Sequence, residues 1–429
     1  MPREVLAERR ARFCEQIGEG VAVLPGGRLV TRSHDVHYVF RQRSDLLYLT
    51  GFEHPDAVCV LSREKLVLFV QPRDPSAETW TGLRPGVDGA TQRYDAHEAY
   101  PIDELPARLP ELIEANRLYY AFGRDRAFDD TLQRALETLR TKARKGGTVP
   151  SEFVDPSSIL DEMRLRKDPE ELRVMRAAAD ISRRGHQAAA RICRAGVHEY
   201  ELEAELARVF RRCGGSGPAY PSVVGGGENG TILHYIENRD VLRDGDVCLV
   251  DAGVELHGYA SDVTRTYPVS GRFVGAAREV YAAVLRAQET ALATIRPGVT
   301  HPEVHQAAAR VLCEGLVELG ALEGDVDGLL ESEAYRPFYM HSTGHWLGLD
   351  VHDVGAYQVD GKPRPFEPGM VLTCEPGLYF SAREQQTPPE LHGIGVRIED
   401  DVAVTDEGCE ILTEAIPKRI DDVEAWMRQ

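Results

Sequence analysis

Two sets of side chains in this 429-residue sequence could do chemistry together. The first is four carboxylates: Asp251 and Asp262, eleven residues apart, and Glu375 and Glu399 further on. Carboxylates that face one another repel unless they are protonated or bound to cations. A pair of divalent metals resolves that repulsion; such a centre takes about five protein ligands and leaves a bridging water for chemistry. The second set is His341, His345 and His352, three of the chain's 14 histidines, at spacings of four and seven. Gly344 and Gly348 turn this stretch away from a helix and towards a close-packed turn and strand. On spacing alone, metal ligation and a structural role are evenly matched for these histidines. His301 and His305 share an i,i+4 spacing, but they open an alanine-rich helix and read as solvated.

The elements that must position these groups recur. A long helix opens at Asp168-Pro169-Glu170-Glu171, where Asp168 is an N-cap, Pro169 suits the first helical position and Glu171 completes a capping box. It runs to about Arg194, with Gly196 as its stop, and a second helix covers about 199–213. Strands and loops fill 220–270. Helices at about 274–295 and 302–319 follow, then strands to the end. Arg194-Ala195-Gly196-Val197 corresponds to Arg296-Pro297-Gly298-Val299. The run Asp244 to Gly253 corresponds to Pro368 to Gly377: a Gly-led turn, an apolar strand, a carboxylate at its end, and a Gly two residues later. Two matches in the same order point to an internal duplication. Asp251 and Glu375 then become equivalent, with Asp262 and Glu399 on neighbouring antiparallel strands.

The first third alternates differently. A charged helix over 3–17 precedes strands at Val21–Leu24, Ala57–Leu61 and Leu66–Val70, the last two joined by a hairpin loop, Ser62-Arg63-Glu64. Helices at Ile102–Ala115 and Asp129–Lys145 flank a strand at Leu118–Phe122, which makes a small α/β domain. Residues 146–158 read as its exit. The fold class is therefore α+β, with an N-terminal α/β domain over 1–162 and a duplicated domain over 163–429.

A net charge of −19, from 69 acids and 50 bases, argues against a nucleic-acid binder and against an anionic membrane as partner. The first 162 residues carry 26 acids and 22 bases; the remaining 267 carry 43 and 28. No apolar run approaches the ~18 residues of a spanning helix. The eight cysteines form no C-x-x-C pair, which fits free thiols in a reducing cytoplasm.

The stretch His341-Ser342-Thr343-Gly344-His345-Trp346-Leu347-Gly348-Leu349-Asp350-Val351-His352-Asp353 resembles the motif of the proline-specific peptidases of the pita-bread metallopeptidase fold. Nearly the whole chain is similar to the Xaa-Pro aminopeptidase (aminopeptidase P) family. Further matching segments are Tyr48-Leu49-Thr50-Gly51-Phe52, Leu233-His234-Tyr235, Val250-Asp251-Ala252-Gly253, Ser261-Asp262-Val263-Thr264-Arg265-Thr266, Glu375-Pro376-Gly377-Leu378-Tyr379 and Gly393-Ile394-Gly395-Val396-Arg397-Ile398-Glu399-Asp400.

The resemblance implies that Asp251, Asp262, His345, Glu375 and Glu399 bind two divalent metals, with Asp262 and Glu399 bridging them. An oxygen-rich set with one histidine favours Mn(II), with cobalt or zinc as substitutes. A bridging water would attack the scissile carbonyl while Glu375 carries the proton to the leaving proline nitrogen. His234, His341 and His352 match substrate-binding and transition-state histidines; from its own surroundings, His234 reads as a structural histidine beside Tyr235. Arg397 and Tyr379 match groups that hold the ligands and the proton path, although a plain salt bridge is nearly as good a reading of Arg397. Trp80 and Trp346 are candidate wall residues, each with core packing as the alternative. The implied substrate is a peptide with proline second, and the implied assembly is a homodimer or homotetramer. The alternatives are a prolidase confined to Xaa-Pro dipeptides and a metal-free binding protein of the same fold. The segment Gly217 to Val224 looks shorter than in relatives, which alters the pocket ahead of His234 and is expected to leave the metal ligands untouched.

Overall fold

The computed structural model describes every residue except 145 and 384–386. The chain divides into two compact units, Met1–Glu162 and Met163–Gln429.

The first unit is built on a six-stranded mixed sheet. Its strands lie in the order Glu98–Pro101, Leu66–Val70, Val58–Ser62, Val21–Pro25, Arg117–Tyr119 and Glu152–Val154. Val58–Ser62 and Leu66–Val70 pair antiparallel through the expected hairpin, Val21–Pro25 pairs antiparallel with Val58–Ser62, and the outer strands pair parallel. Val21, Val23, Val58 and Val60 pack with Leu109 and with Leu132, Leu136 and Leu139 of the helix Arg126–Ala143. The alternation of side chains along each strand puts these residues on one face. Several sequence boundaries move. The helix starts at Arg126 because the Asp125 carboxylate caps it, accepting from the Phe128 N–H; its expected end at Lys145 lies outside the described residues. The helix expected over 102–115 begins as a 3-10 turn, Ile102–Glu104, and ends at Leu112. The stretch read as an exit supplies the sheet's sixth strand, Glu152–Val154, and opens the helix Ser157–Leu165.

The second unit opens with the helix Pro169–Ile192. Asp168 Oδ1 accepts from the N–H groups of Glu170 and Glu171 at 3.0 and 2.9 Å, and Glu171 Oε2 accepts from the Asp168 N–H at 3.0 Å. This is the reciprocal cap predicted from the sequence. The helix Glu199–Arg212 packs against it, and Gly275–Thr294 pairs with His301–Glu318 in the same way. Each helix pair is followed by a three-stranded antiparallel sheet. The first orders Val223–Gly226, Val247–Asp251 and Thr264–Pro268; the second orders Val371–Cys374, Asp400–Val404 and Cys409–Ile411. The repeat is thus visible in the architecture, but the central strands differ. In the first sheet it is the strand ending at Asp251; in the second it is the strand that follows Glu399. The expectation of strands to the end fails, because helices form at Val326–Glu331 and Ile420–Met427. The latter buries Val423 and Trp426 in the core. No helix among the described residues is long and apolar enough to cross a membrane.

One buried ion network ties the two sheets together. Arg265 and Asp400 are fully buried, with Arg265 Nη2 2.7 Å from Asp400 Oδ1. Lys418 Nζ and Gln288 Nε2 donate to Asp400 Oδ2 at 2.6 and 2.7 Å. Arg265 also donates to the carbonyls of Thr264, Ile416 and Pro417. Burial opposes the charge on Asp400, but these cations outweigh it and hold the carboxyl well below its ordinary range. Breaking one partner of such a network leaves buried charge without compensation. Asp400→Asn is therefore expected to destabilise the second unit by about 3–5 kcal/mol. The check is urea unfolding followed by tryptophan fluorescence, which weights this unit because Trp346 and Trp426 are buried in it.

Candidate metal centre

Asp251 closes the strand Val247–Asp251 and faces Thr264 on the adjacent antiparallel strand. Glu375 follows the strand Val371–Cys374, and Glu399 precedes its partner Asp400–Val404, with Cys374 opposite Asp400. The strand ends therefore deliver these carboxylates to one place. Asp262, His345 and Glu399 each offer a ligand atom, and these atoms lie within 4.8 Å of one another. His345 Nε2 is 3.3 Å from Asp262 Oδ2 and 3.7 Å from Glu375 Oε1. Its Nδ1 lies 3.0 Å from the Trp346 carbonyl. A carbonyl only accepts, so Nδ1 carries the hydrogen and Nε2 is turned to the acids, as a ligating imidazole requires.

The surrounding contacts orient the acids. Arg397 Nη2 donates to Asp251 Oδ2 at 2.6 Å, Nη1 to the Tyr379 hydroxyl at 3.0 Å, and Nε to Thr264 Oγ1 at 2.9 Å. Thr264 Oγ1 in turn donates to Glu399 Oε2 at 2.6 Å. Arg397 is thus more than a single salt bridge: it links an acid of each half. His341 Nδ1 faces the Ser342 carbonyl at 2.8 Å, and its Nε2 faces the Tyr379 hydroxyl at 2.8 Å. Burial, and secondarily Arg397, push the His341 imidazole down to about 3, so it is neutral and its Nε2 accepts a hydrogen bond from the Tyr379 hydroxyl.

The electrostatics test whether cations fit. Burial raises Asp251, Glu375 and Glu399, and the neighbouring carboxylates add to it; Glu375 is pushed up to about 7. Burial opposes charge on Asp262 and on His345 as well. Their mutual contact overrides it, lowering the acid and raising the imidazole to about 9. The Tyr220 hydroxyl stands 2.6 Å from Asp251 Oδ1 and 2.5 Å from Asp262 Oδ1, with one proton for two acceptors. Arg397 and the His345 imidazole leave four carboxylates short of positive charge, and the four carboxylates with one imidazole fit divalent cations.

The centre opens into a cavity of about 990 Å³. His234 and His352 are exposed and line it, as does His341. The structural reading of His234 fails, and Tyr235 instead donates to Glu199 at 2.9 Å. The His352 ring lies 4.3 Å from that of His345. Two expectations are corrected, and the choice left open for Trp346 is decided. His301 and His305 are not solvated: both are partly buried and line the cavity, with His301 edge-on to Trp346 at 4.4 Å and His305 Nδ1 2.9 Å from Thr343 Oγ1. Trp346 is fully buried and belongs to the core. The segment Gly217 to Val224 does reach the acids, through Tyr220. Trp80 is 88% exposed on the helix Pro75–Thr81 of the first unit. Sequence reasoning also missed Asp401, whose carboxylate accepts from the Asp262 N–H at 3.0 Å and from Ser261 Oγ at 2.8 Å. Its place directly after Glu399-Asp400 was the available signal.

Residues 173–406, which include all five clustered groups, match the profile of metallopeptidase family M24, and residues 6–120 match the aminopeptidase P N-terminal domain. The chain belongs to metallopeptidase family M24. It is 45% identical to the Xaa-Pro aminopeptidase of Escherichia coli K12, over 99% of this chain and 98% of that relative. An aminopeptidase of Pseudomonas aeruginosa superposes with a TM-score of 0.98 at 47% identity, over 100% of this chain and 98% of that one. A zinc-substituted E. coli aminopeptidase P in complex with product superposes with a TM-score of 0.96 at 44% identity, over 100% and 98%. These matches bear out the pita-bread resemblance and its α+β fold.

Because Glu375 and His345 hold protons near neutral pH before a cation arrives, binding must release them. Apparent Mn(II) affinity is therefore expected to fall between pH 8 and pH 6. Calorimetric titration in buffers of different ionisation enthalpy should register net proton release at pH 7.

Proposed function

We propose that this M24 protein is a metal-dependent aminopeptidase that releases the first residue from peptides with proline in the second position. The observation that carries this reading is the convergence of Asp251, Asp262, His345, Glu375 and Glu399 on the wall of a cavity of about 990 Å³. Support comes from end-to-end similarity to an Xaa-Pro aminopeptidase. We assign these five residues as the ones that would hold two divalent cations. The hard, oxygen-rich donor set favours Mn(II), with cobalt or zinc as substitutes. Divalent cations held there would offset the carboxylates and supply the activation of a water for attack.

The chain's own groups do the rest. Glu375 stands at the cavity wall beside His341 and His345, and carries a proton to the leaving proline nitrogen. His234 and His352 face the cavity and hold the substrate carbonyl as it becomes an oxyanion. His341 completes the row through Tyr379 and Arg397, which keep Asp251 oriented. A proline amide nitrogen has no hydrogen and therefore asks for no acceptor. The cavity wall includes Val223, Leu233, Ile236 and Val351, which suits such a ring. Trp80 is available to help close the site from a second copy in a homodimer or homotetramer. The eight free thiols favour a cytoplasmic location.

With Mn(II), the protein is expected to release Xaa from Xaa-Pro-Yaa and to leave Xaa-Ala-Yaa nearly intact, as read by chromatography of the products. Cleavage confined to Xaa-Pro dipeptides would identify a prolidase instead. Absence of any metal-dependent cleavage of proline peptides would overturn the enzymatic reading. Asp262→Asn is expected to abolish activity with an unchanged circular dichroism spectrum; a content near two metals per chain in that variant would remove Asp262 from the ligand set.

A further inference from the structure

Beyond the cavity wall, the structure contains a buried charge cluster that the proposed chemistry does not use. The Lys167 and Asp353 side chains are each 1% exposed, and Arg164 is 4% exposed. Lys167 Nζ donates to Asp353 Oδ2 at 3.0 Å. Arg164 Nη2 donates to Asp353 Oδ1 at 2.6 Å and to Asp350 Oδ2 at 2.6 Å. Buried charges of this kind seldom add stability over apolar packing, so their use lies in the geometry they impose. Here that geometry is the turn from His345 to Asp353. The Asp353 N–H donates to the Trp346 carbonyl at 2.9 Å, and the same carbonyl takes the His345 Nδ1 hydrogen. Gly348 makes room for the carboxylate: a Cβ there would stand 2.1 Å from Asp353 Oδ2 and 2.8 Å from Lys167 Cε. The Gly348 carbonyl accepts from the Ala260 N–H at 2.8 Å, which docks the turn beside Asp262. His352 precedes Asp353 directly and projects into the cavity.

We propose that Asp353, clamped by Lys167 and Arg164, is a positioning residue that fixes where His352 meets the substrate. This rests on the reading of His352 as a substrate-contacting group. The clamp acts at the next residue along the chain, so the His352 imidazole can be exposed and still be held in place. Lys167 is itself anchored, because its N–H donates to the Gly369 carbonyl at 2.8 Å, at the foot of the strand that leads to Glu375.

The test is a double-mutant cycle on the Mn(II)-loaded full chain with an Xaa-Pro-Yaa peptide. Asp353→Asn alone is expected to lower kcat/KM by about 10- to 100-fold, with metal content unchanged. In a His352→Ala background the same substitution is expected to cost less than about twofold, since there is no imidazole left to misplace. Lys167→Met, which keeps the Arg164–Asp353 contact, serves as a milder second arm if Asp353→Asn folds poorly, and is expected to follow the same pattern. Equal losses in both backgrounds, with His352→Ala itself impaired, would overturn the positioning role alone. A His352→Ala enzyme as active as the parent would overturn the reading of His352, and the proposal with it.

Discussion

Negative charge held out of water is the constraint around which the second unit is organised. Two like charges 4 Å apart cost about 4 kcal/mol at the effective dielectric of a protein surface, and more in a drier site. Asp251, Asp262, Glu375 and Glu399 share such a space with one directly paired guanidinium, that of Arg397. Even with the protonated His345 beside it, that guanidinium cannot offset four acids. The protein alone must keep protons on some of them, which is the state that the raised Glu375 and Glu399 describe. Two dications would replace those protons with fixed charge at the place where the cavity needs it. The site is therefore strained towards metal before any metal arrives, and its loops need support that does not depend on occupancy. Thr264, Tyr379 and Tyr220 provide that support through hydrogen bonds to the acids or to Arg397.

Duplication explains how such a crowded centre can be built at all. Each half ends an apolar strand in an acid, and the two strands lie in separate three-stranded sheets. Burial of Val247 to Val250 and of Val371 to Cys374 fixes both strand registers, since a slip by one residue would turn every side chain to the other face. Asp251 is thus carried by a strand, and Glu375 and Glu399 directly flank the strands Val371–Cys374 and Asp400–Val404. The histidines are different. His341, His345 and His352 lie outside the regular strands, on a turn whose shape depends on glycines and on the Asp353 contacts. Gly344 is required because a Cβ there would stand 2.0 Å from the Thr373 carbonyl.

Local signals carried well from sequence to structure, and contacts between distant segments did not. The capping box at Asp168 involves neighbours three residues apart, so it was legible in full. Asp251 and Glu375 were legible because a strand-end acid before glycine occurs twice in the same order. Tyr220 was not: its hydroxyl meets Asp251 and Asp262, which lie 31 and 42 residues on, and nothing near Tyr220 announces them. His301 was misread because an N-terminal helix position next to alanines looks exposed; the rings that cover it, Trp346, Tyr357 and Phe366, come from another part of the chain. Trp346 was left open between wall and interior, since only the packed core decides between them. The family resemblance supplied the role of His345, which spacing alone left undecided.

Two adjacent residues make plain why net charge could not locate this centre. Asp400 and Asp401 are both buried on the strand Asp400–Val404, and strand alternation points them to opposite faces. Asp400 meets Arg265 and Lys418 and stays ionised. Asp401 meets the Asp262 N–H and Ser261 instead; burial first, and then the charge of Asp262, hold its carboxyl well above the ordinary range. The same residue type, one position apart, is a structural anion on one face and, on the other, a carboxyl that burial pushes upward. The acid excess of residues 163–429 counts both alike, together with many solvated carboxylates. What separates them is the company each keeps: cations around Asp400, hydrogen-bond donors around Asp401, and around Asp251, Asp262, Glu375 and Glu399 mostly one another. Only that last arrangement leaves a deficit that divalent cations can fill.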